Sequence, residues 1–427
     1  METLALLGGE TVLKDALPKT STYGKEEEQA ALAVIRKGIF SGFLARAGER
    51  FLGGKEVLRL EEAFRSKFNV AHAVSFNSAT TALDAAVCAL GIGPGDEVIV
   101  SPYTMCASAT AVLMNMAIPV FADIEEDTFC LDPKSVEKRI TRNTKAIMVT
   151  NLFGGSARYD ALLSIAKRYG LKIIEDTAQA PGGMYHGKHL GTIGDIGIYS
   201  FNVHKVVQCG EGGILVTNNN HYAFRAQLKR NHGENVLDDM DIKHEPIFGS
   251  NYRMSELHAA IASEQFKKID HLNQIRIDLA AYLSLGLKDI PWLSPCHVLE
   301  DTRHVYYLYP ILYDQAKTGI PRSLFAKAIK AEGFPIDEGY QKPLHLLSIF
   351  QQRKIFPNSD FPFGSKEYPT AVSYEKGICP TSESMWEKNL VVSSLCKYPN
   401  EKKHIGLFLK ALKKVFVNRD KLLSYHG

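Results

Sequence analysis

The sequence predicts an α/β protein: a large N-terminal domain on a mainly parallel, seven-stranded sheet, followed by a smaller α+β C-terminal domain. Two observations carry this. Between about Ala71 and Arg230, short and continuously apolar runs alternate with helix-like segments. Runs of that kind fit strands buried on both faces, as in a parallel sheet covered by helices. Beyond Asn251 the pattern changes to a long helical stretch and then to mixed strands and helices. The reading divides the chain at residue 266: an N-terminal arm and large domain over 1–265, and a small domain over 266–427.

The elements follow in order. The strand-like runs are HAVSF, EVIVS, PVFAD, KAIMVTN, LKIIED, GIYSF and GILVTN. The helices between the earlier ones are TTALDAAVCAL, ASATAVLMNM, DPKSVEKRI and DALLSIAKRYG. The apolar ASATAVLMNM suits either the core or a subunit interface. SELHAAIASEQFKKIDHLNQIRIDLAAYLSLGL reads as one long helix, HVYYLYPILYD as a strand, and SLFAKAIKAEG as a helix. MWEKNLVVSSLC then reads as a strand and KKHIGLFLKALKKVF as a final helix. The segment Gln351 to Thr381 is a long loop rich in Pro, Phe and charge, and such loops are often functional or mobile.

Composition excludes several classes. The net charge of +3 on 427 residues, with no clustering beyond Lys410 to Lys421, argues against nucleic-acid binding. That tail fits the solvated face of an amphipathic helix. The seven cysteines are odd in number and lack a C-x-x-C pair, as expected of free thiols and no metal site. The N-terminus lacks the basic and apolar regions of a signal peptide, and no apolar run is long enough to span a membrane. A cytoplasmic protein is expected.

Ligands of open α/β sheets bind at the carboxyl ends of strands. Three polar positions follow apolar runs there. In SFNSATTAL, Ser78 would cap a helix whose first amides, from Ala79 and Thr80, could hold a phosphate; simple capping explains Ser78 as well. In LKIIEDTAQA, Asp176 ends a buried strand, where a carboxylate needs a partner: a protonated heterocyclic nitrogen, a helix start or a salt bridge. In SFNVHKVVQCGEGG, Lys205 stands at the sheet mouth, either as a surface lysine or as a desolvated nucleophile. Together, a phosphate cradle, an aspartate and a lysine are the handles of pyridoxal 5'-phosphate (PLP).

The chain resembles the DegT/DnrJ/StrS family of PLP-dependent sugar aminotransferases, of the fold-type I, aspartate aminotransferase-like architecture. The matching pieces are NSATTALDAAVCALGIGPGDEVIVSPYT, PVFADIEEDTFCLDP, EDTAQAPGGMYHGKHLGTIGDIGIYSFNVHK, GEGGILVTNN, RNHGE, GSNYRMSELHAAI and GYQKPLH. By position, the resemblance makes Lys205 the catalytic Schiff-base lysine and Asp176 the partner of the pyridine nitrogen. It assigns Gln179 to the cofactor's phenolic oxygen, and Ala79, Thr80 and Ser200 to its phosphate. Met105 stands where the family usually stacks an aromatic on the ring, Ala79 where it usually has glycine, and Asn202 where it usually has histidine. Asn251 or Arg253 is implied to reach the phosphate of a neighbouring subunit in a homodimer with shared sites, and Tyr340 and His345 to lie near the sugar, with structural packing an equal reading for each. The implied reaction is ping-pong transfer of an amino group from L-glutamate or L-glutamine to a keto-sugar, commonly nucleotide-linked, or to a keto-cyclitol. Relatives acting as dehydratases carry histidine at the lysine position, and the register of Lys205 favours transamination. A PLP-binding regulator without turnover is the alternative from another class; no DNA-binding module precedes Ala71.

Overall fold

The computed structural model describes residues 2–19, 21–240, 246–369 and 372–425. All seven apolar runs form strands: β1 (His72–Phe76), β2 (Glu97–Val100), β3 (Ile118–Phe121), β4 (Thr144–Thr150), β5 (Lys172–Asp176), β6 (Ile196–Ser200) and β7 (Gly213–Thr217). They make one sheet in the order β1-β7-β6-β5-β4-β2-β3. Pairing is parallel from β6 to β3, and β7 runs antiparallel to both its neighbours. Helices flank it, among them α1 (Lys25–Lys37), α2 (Lys55–Phe68), α3 (Ala79–Ala89), α4 (Ala107–Met114), α5 (Pro133–Arg139), α6 (Tyr159–Tyr169), α7 (Asn220–Arg230) and α8 (Gly233–Met240). Central strands such as β2 and β6 are buried at every position, which explains their unbroken apolar sequence. Helix starts are sequence-coded: Ser78 Oγ accepts from Thr81 N at 3.2 Å, and Asp132 Oδ1 accepts from Lys134 N at 2.9 Å before Pro133.

A second sheet, all antiparallel, holds β8 (Leu293–Pro295), β9 (Tyr309–Tyr313), β10 (Asp337–Glu338) and β11 (Leu390–Ser393) in the order β8-β9-β11-β10. Its core is shared with α10 (Ile269–Leu287), α11 (Arg322–Ala331) and α12 (Lys402–Val417), and with Leu4 and Val12 of the N-terminal arm. The arm is fixed by the buried Glu332, which accepts from Ala5 N at 2.9 Å, Val12 N at 3.0 Å and Lys414 Nζ at 3.0 Å. The arm therefore packs on the C-terminal core. Among the described residues, no helix is long and apolar enough to cross a membrane.

Three sequence expectations are corrected, and one segment is located. The long helical stretch is two helices, α9 (Glu256–Lys267) and α10, separated by Lys268. Only the second half of HVYYLYPILYD is a strand: Tyr306 has φ +47°, and the Tyr306 and Tyr307 carbonyls accept from Arg276 Nη1 at 3.0 Å instead of from a ladder. Met385–Asn389 is a helical turn before β11. The described residues of the segment Gln351 to Thr381 reach the sheet edge: Tyr368 is hydrogen-bonded to Glu97, and Tyr374 donates to Pro119 O at 2.8 Å. Of the two readings of ASATAVLMNM, the core is realised over most of α4, with Ala109, Ala111, Val112 and Leu113 buried.

Candidate active site

The register of the sheet brings the three strand ends together. Phe76 on β1 lies opposite Gly213 on β7, and Gly213 lies opposite Ser200 on β6. Asp176, the last residue of β5, lies opposite Ile198 on β6. Lys205 sits in the hairpin between β6 and β7, which is closed by Phe201 N to Gly212 O at 2.9 Å and Val203 N to Gly210 O at 2.9 Å. The antiparallel return of β7 thus keeps Lys205 at the carboxyl edge of the sheet, on the side of Asp176.

Asp176 is buried. Its Oδ2 accepts from Ser108 Oγ at 2.7 Å, and its Oδ1 accepts from Ala178 N at 3.2 Å. A carboxylate offers about four acceptor positions, so both oxygens can take a further donor. Lys205 is half-buried, and its Nζ lies 4.6 Å from the centre of the Tyr307 ring. Burial lowers its pKa, and the negative charge of Asp176 raises it part of the way back. A lysine held this way yields its proton more readily than a surface lysine does.

Gln179 has a fixed orientation. Its Oε1 accepts from Phe153 N at 2.8 Å, so its Nε2 points to Tyr340, donating to the hydroxyl at 2.9 Å. Phe153 holds φ +57°, a conformation uncommon for a bulky residue and suggestive of a constrained site. Tyr340 is fixed in turn by its backbone N–H, which donates at 2.9 Å to the hydroxyl of the fully buried Tyr103. Burial raises the pKa of both phenols, so they act as neutral hydroxyls. Ser108 and Tyr307 were not singled out by sequence reasoning. The only signal for Ser108 was a polar residue inside an apolar run.

At the other end of the row, Ala79 and Thr80 form the first turn of α3, and Gly213 presses against it. A Cβ at Gly213 would lie 2.5 Å from Ala79 N, so only glycine permits this approach. The side-chain cap satisfies Thr81 N, while the amides of Ala79 and Thr80 have no acceptor within the helix. The cap and an anion site are therefore compatible. Ser200 is buried, its Oγ accepting from Asn202 N at 3.3 Å. Met105 is 52% exposed on the turn that carries Ser108. Arg253 Nε donates to Asn251 Oδ1 at 2.7 Å near the surface, beside the strand-end loop where Asn77 N donates to Tyr252 O at 2.8 Å.

His345 is a correction. It is fully buried against Phe121, its Nε2 2.8 Å from Glu383 Oε1, and burial lowers its pKa. It ties the Gly377 segment to the edge of the sheet through Glu383 and belongs to that packing rather than to a substrate surface.

The residues fit PLP. A carboxylate with spare acceptor capacity, a desolvated lysine and a helix start with free amides lie along one sheet edge, and Gln179 presents N–H groups of known direction. The comparisons agree. Residues 44–378 match the model of the DegT/DnrJ/EryC1/StrS aminotransferase family. The chain is 38% identical to GDP-perosamine synthase of Caulobacter vibrioides, over 60% of this chain and 69% of that protein. It is 34% identical to L-glutamine:2-deoxy-scyllo-inosose aminotransferase of Streptoalloteichus tenebrarius, over 75% and 76%. The solved structure of S. venezuelae DesV is similar with a TM-score of 0.76 at 29% identity, covering 93% of this chain and 95% of that one. The chain belongs to the DegT/DnrJ/EryC1/StrS aminotransferase family and is a PLP-dependent sugar aminotransferase.

Proposed function

We propose that the enzyme transfers an amino group from L-glutamate or L-glutamine to the keto carbon of a nucleotide-linked sugar. The observation that carries this is the convergence of Asp176 and Lys205 at one sheet edge, beside the α3 helix start. When bound, PLP supplies a carbonyl that takes up the amino group and a ring that accepts electrons. Asp176 would hold the proton on the ring nitrogen, and Ser108 holds Asp176 in position. Lys205 Nζ, its pKa lowered, takes the proton from the donor's Cα and returns it on the acceptor side. Ala79 and Thr80 amides, with Ser200, would bind the phosphate. Gln179 would donate to the phenolic oxygen, Met105 would pack on the ring, and Tyr340 would face the sugar.

A keto-cyclitol acceptor is the second reading, favoured by the inosose aminotransferase relative. Incubating the purified protein with L-glutamate or L-glutamine, nucleotide keto-sugars and an inosose, and reading products by mass, decides between them. An amino-cyclitol without an amino-sugar would overturn the first reading. We also propose a cytoplasmic homodimer, consistent with seven free cysteines, in which Asn251 or Arg253 reaches the partner's phosphate. Mixing and refolding Lys205→Ala with a double variant at Asn251 and Arg253 should restore activity. An active monomer in sedimentation would rule shared sites out.

A further inference from the structure

Lys205 lines a cleft of about 560 Å³ between the β6–β7 hairpin, the N-terminal arm, helix α10 and the segment after β11. Among the described residues its Nζ has no hydrogen bond and no ion pair; it lies over the Tyr307 ring, 4.6 Å from the ring centre. That ring is held through its backbone. Arg276 is only 9% exposed, and its Nη1 donates at 3.0 Å to both the Tyr306 and the Tyr307 carbonyls. Tyr306 N donates to His304 Nδ1 at 3.0 Å, and Val305 N donates to Gly154 O at 2.9 Å. A Cβ at Gly154 would lie 2.7 Å from Tyr306 N and 2.9 Å from Tyr307 N, so the turn presses on the loop that fixes Gln179. Tyr306 holds φ +47° there, a conformation that a bulky residue keeps only where its surroundings impose it. A buried arginine, a histidine ring and a glycine loop thus fix one turn, and the side chain it presents lies against the reacting amine.

We propose that the Tyr307 ring is the seat of the Lys205 ammonium between its two proton transfers, and that Arg276 is the positioning residue that sets the ring there. This rests on the transaminase reading above. When Nζ takes the proton from the donor's Cα, the amine becomes an ammonium; when it returns the proton on the acceptor side, the amine is restored. A carboxylate touching Nζ would hold that proton, and an aliphatic wall would disfavour the charge. A ring face attracts the cation but accepts no strong hydrogen bond, so it stabilises the ammonium without keeping its proton. Burial favours the amine and Asp176 the ammonium; the ring adds to the side of the ammonium.

The test uses the enzyme loaded with pyridoxamine 5'-phosphate, in which Lys205 keeps a free amine. Trace acetylation with acetic anhydride across a range of pH, followed by peptide mapping, reads the midpoint at which that amine loses its proton. The other charged and titratable groups around it and the ring are Asp176, His204, Arg276, Lys397, Tyr398, Tyr23 and Tyr340, all unchanged in the Tyr307 variants. Tyr307→Leu should lower the midpoint by about one pH unit, the tenfold change expected of a partly desolvated cation–ring contact. Tyr307→Phe keeps the ring and should keep the midpoint. Arg276→Lys keeps the charge but not the fork, and should lower the midpoint by less; it tests the proposal where Tyr307→Leu fails to fold. In the half-reaction of the PLP-loaded enzyme with L-glutamate, Tyr307→Leu should lower the saturating rate by about tenfold with little change in the donor concentration needed. A midpoint lowered equally in Tyr307→Phe would overturn the proposal in favour of the hydroxyl. A midpoint unmoved or raised in Tyr307→Leu would overturn it outright, and one unmoved in Arg276→Lys would overturn the role of Arg276. A ring-dependent midpoint in an enzyme that exchanges no amino group with L-glutamate or L-glutamine would support the seat while sinking the transaminase reading.

Discussion

Strand β5 ends in two adjacent carboxylates, Glu175 and Asp176, that face opposite sides of the sheet and are both buried. Glu175 is tied into the chain's own backbone. Its Oε2 accepts from Gly191 N at 2.7 Å, and its Oε1 accepts from Ile193 N and Gly194 N, both at 2.6 Å. Asp176 takes one hydroxyl and one amide, and keeps acceptor capacity toward the cavity side. The difference separates a carboxylate that shapes the fold from one that awaits a partner. Burial alone does not distinguish them; the count of internal donors does.

The comparison breaks most visibly at Lys205, the cation on the Asp176 side. Lys205→Ala should reduce amino transfer by about 10⁴-fold, the upper range for a general acid–base group. Borohydride reduction of the PLP-loaded wild type followed by peptide mapping should tag Lys205; a tag on another lysine would refute its role. Asp176→Asn comes next, with kcat lower by about 10²–10³, as for loss of a preorganised electrostatic partner. Its melting temperature should stay near wild type. Near-normal kcat would move Asp176 to the structural side of the comparison.

Glu175→Gln should show the reverse. An amide offers one acceptor oxygen and sets its NH₂ against backbone N–H groups, so stability should fall by about 2–4 kcal/mol. The kcat per folded molecule should change little. Burial raises the pKa of Glu175 above its ordinary 4.5, and the three amides counter this in part. The folded protein then holds that proton more tightly than the unfolded chain does. The stability due to this group is complete below about 4.5 and declines as pH rises through its higher folded value. Denaturant titrations at several pH values should show this slope in wild type and lose it in Glu175→Gln.

Much of this contrast was legible in the sequence, and part was not. The seven strands were visible because a doubly covered sheet demands unbroken apolar runs. Asp176 and Lys205 stood out because charge at the end of such a run needs a reason. Asn202 could be placed by position. The supports of the site could not: Ser108 is 68 residues from Asp176, and Tyr340 is 161 from Gln179. His345 looked like a substrate contact because its segment matched a family motif, but the distant Glu383 draws it into the core. Tyr307 was read within a strand, and the Arg276 bonds that turn it over Lys205 come from a helix in which an arginine has no distinctive pattern. Local runs report the layers; long-range polar pairs appear only once the layers are assembled.

The smallest expected effect lies with Ser108, the hydroxyl that orients Asp176. It stands on α4, whose neighbours Ala109 and Val112 are fully buried, and among the described residues its hydroxyl bonds Asp176 Oδ2 alone, at 2.7 Å. Removing it leaves the carboxylate in place but free to rotate toward Ala178. One neutral donor to a charged acceptor contributes about 1.5 kcal/mol, so Ser108→Ala should lower kcat by about tenfold. Ser108→Thr keeps the hydroxyl and should recover most of it. The loss should appear in kcat with little change in the donor KM, because the bond acts on charge developing during reaction rather than on substrate capture. A purely structural Ser108 would instead shift the melting temperature and leave kcat per folded molecule unchanged, and it would make Asp176 depend on its own backbone turn alone.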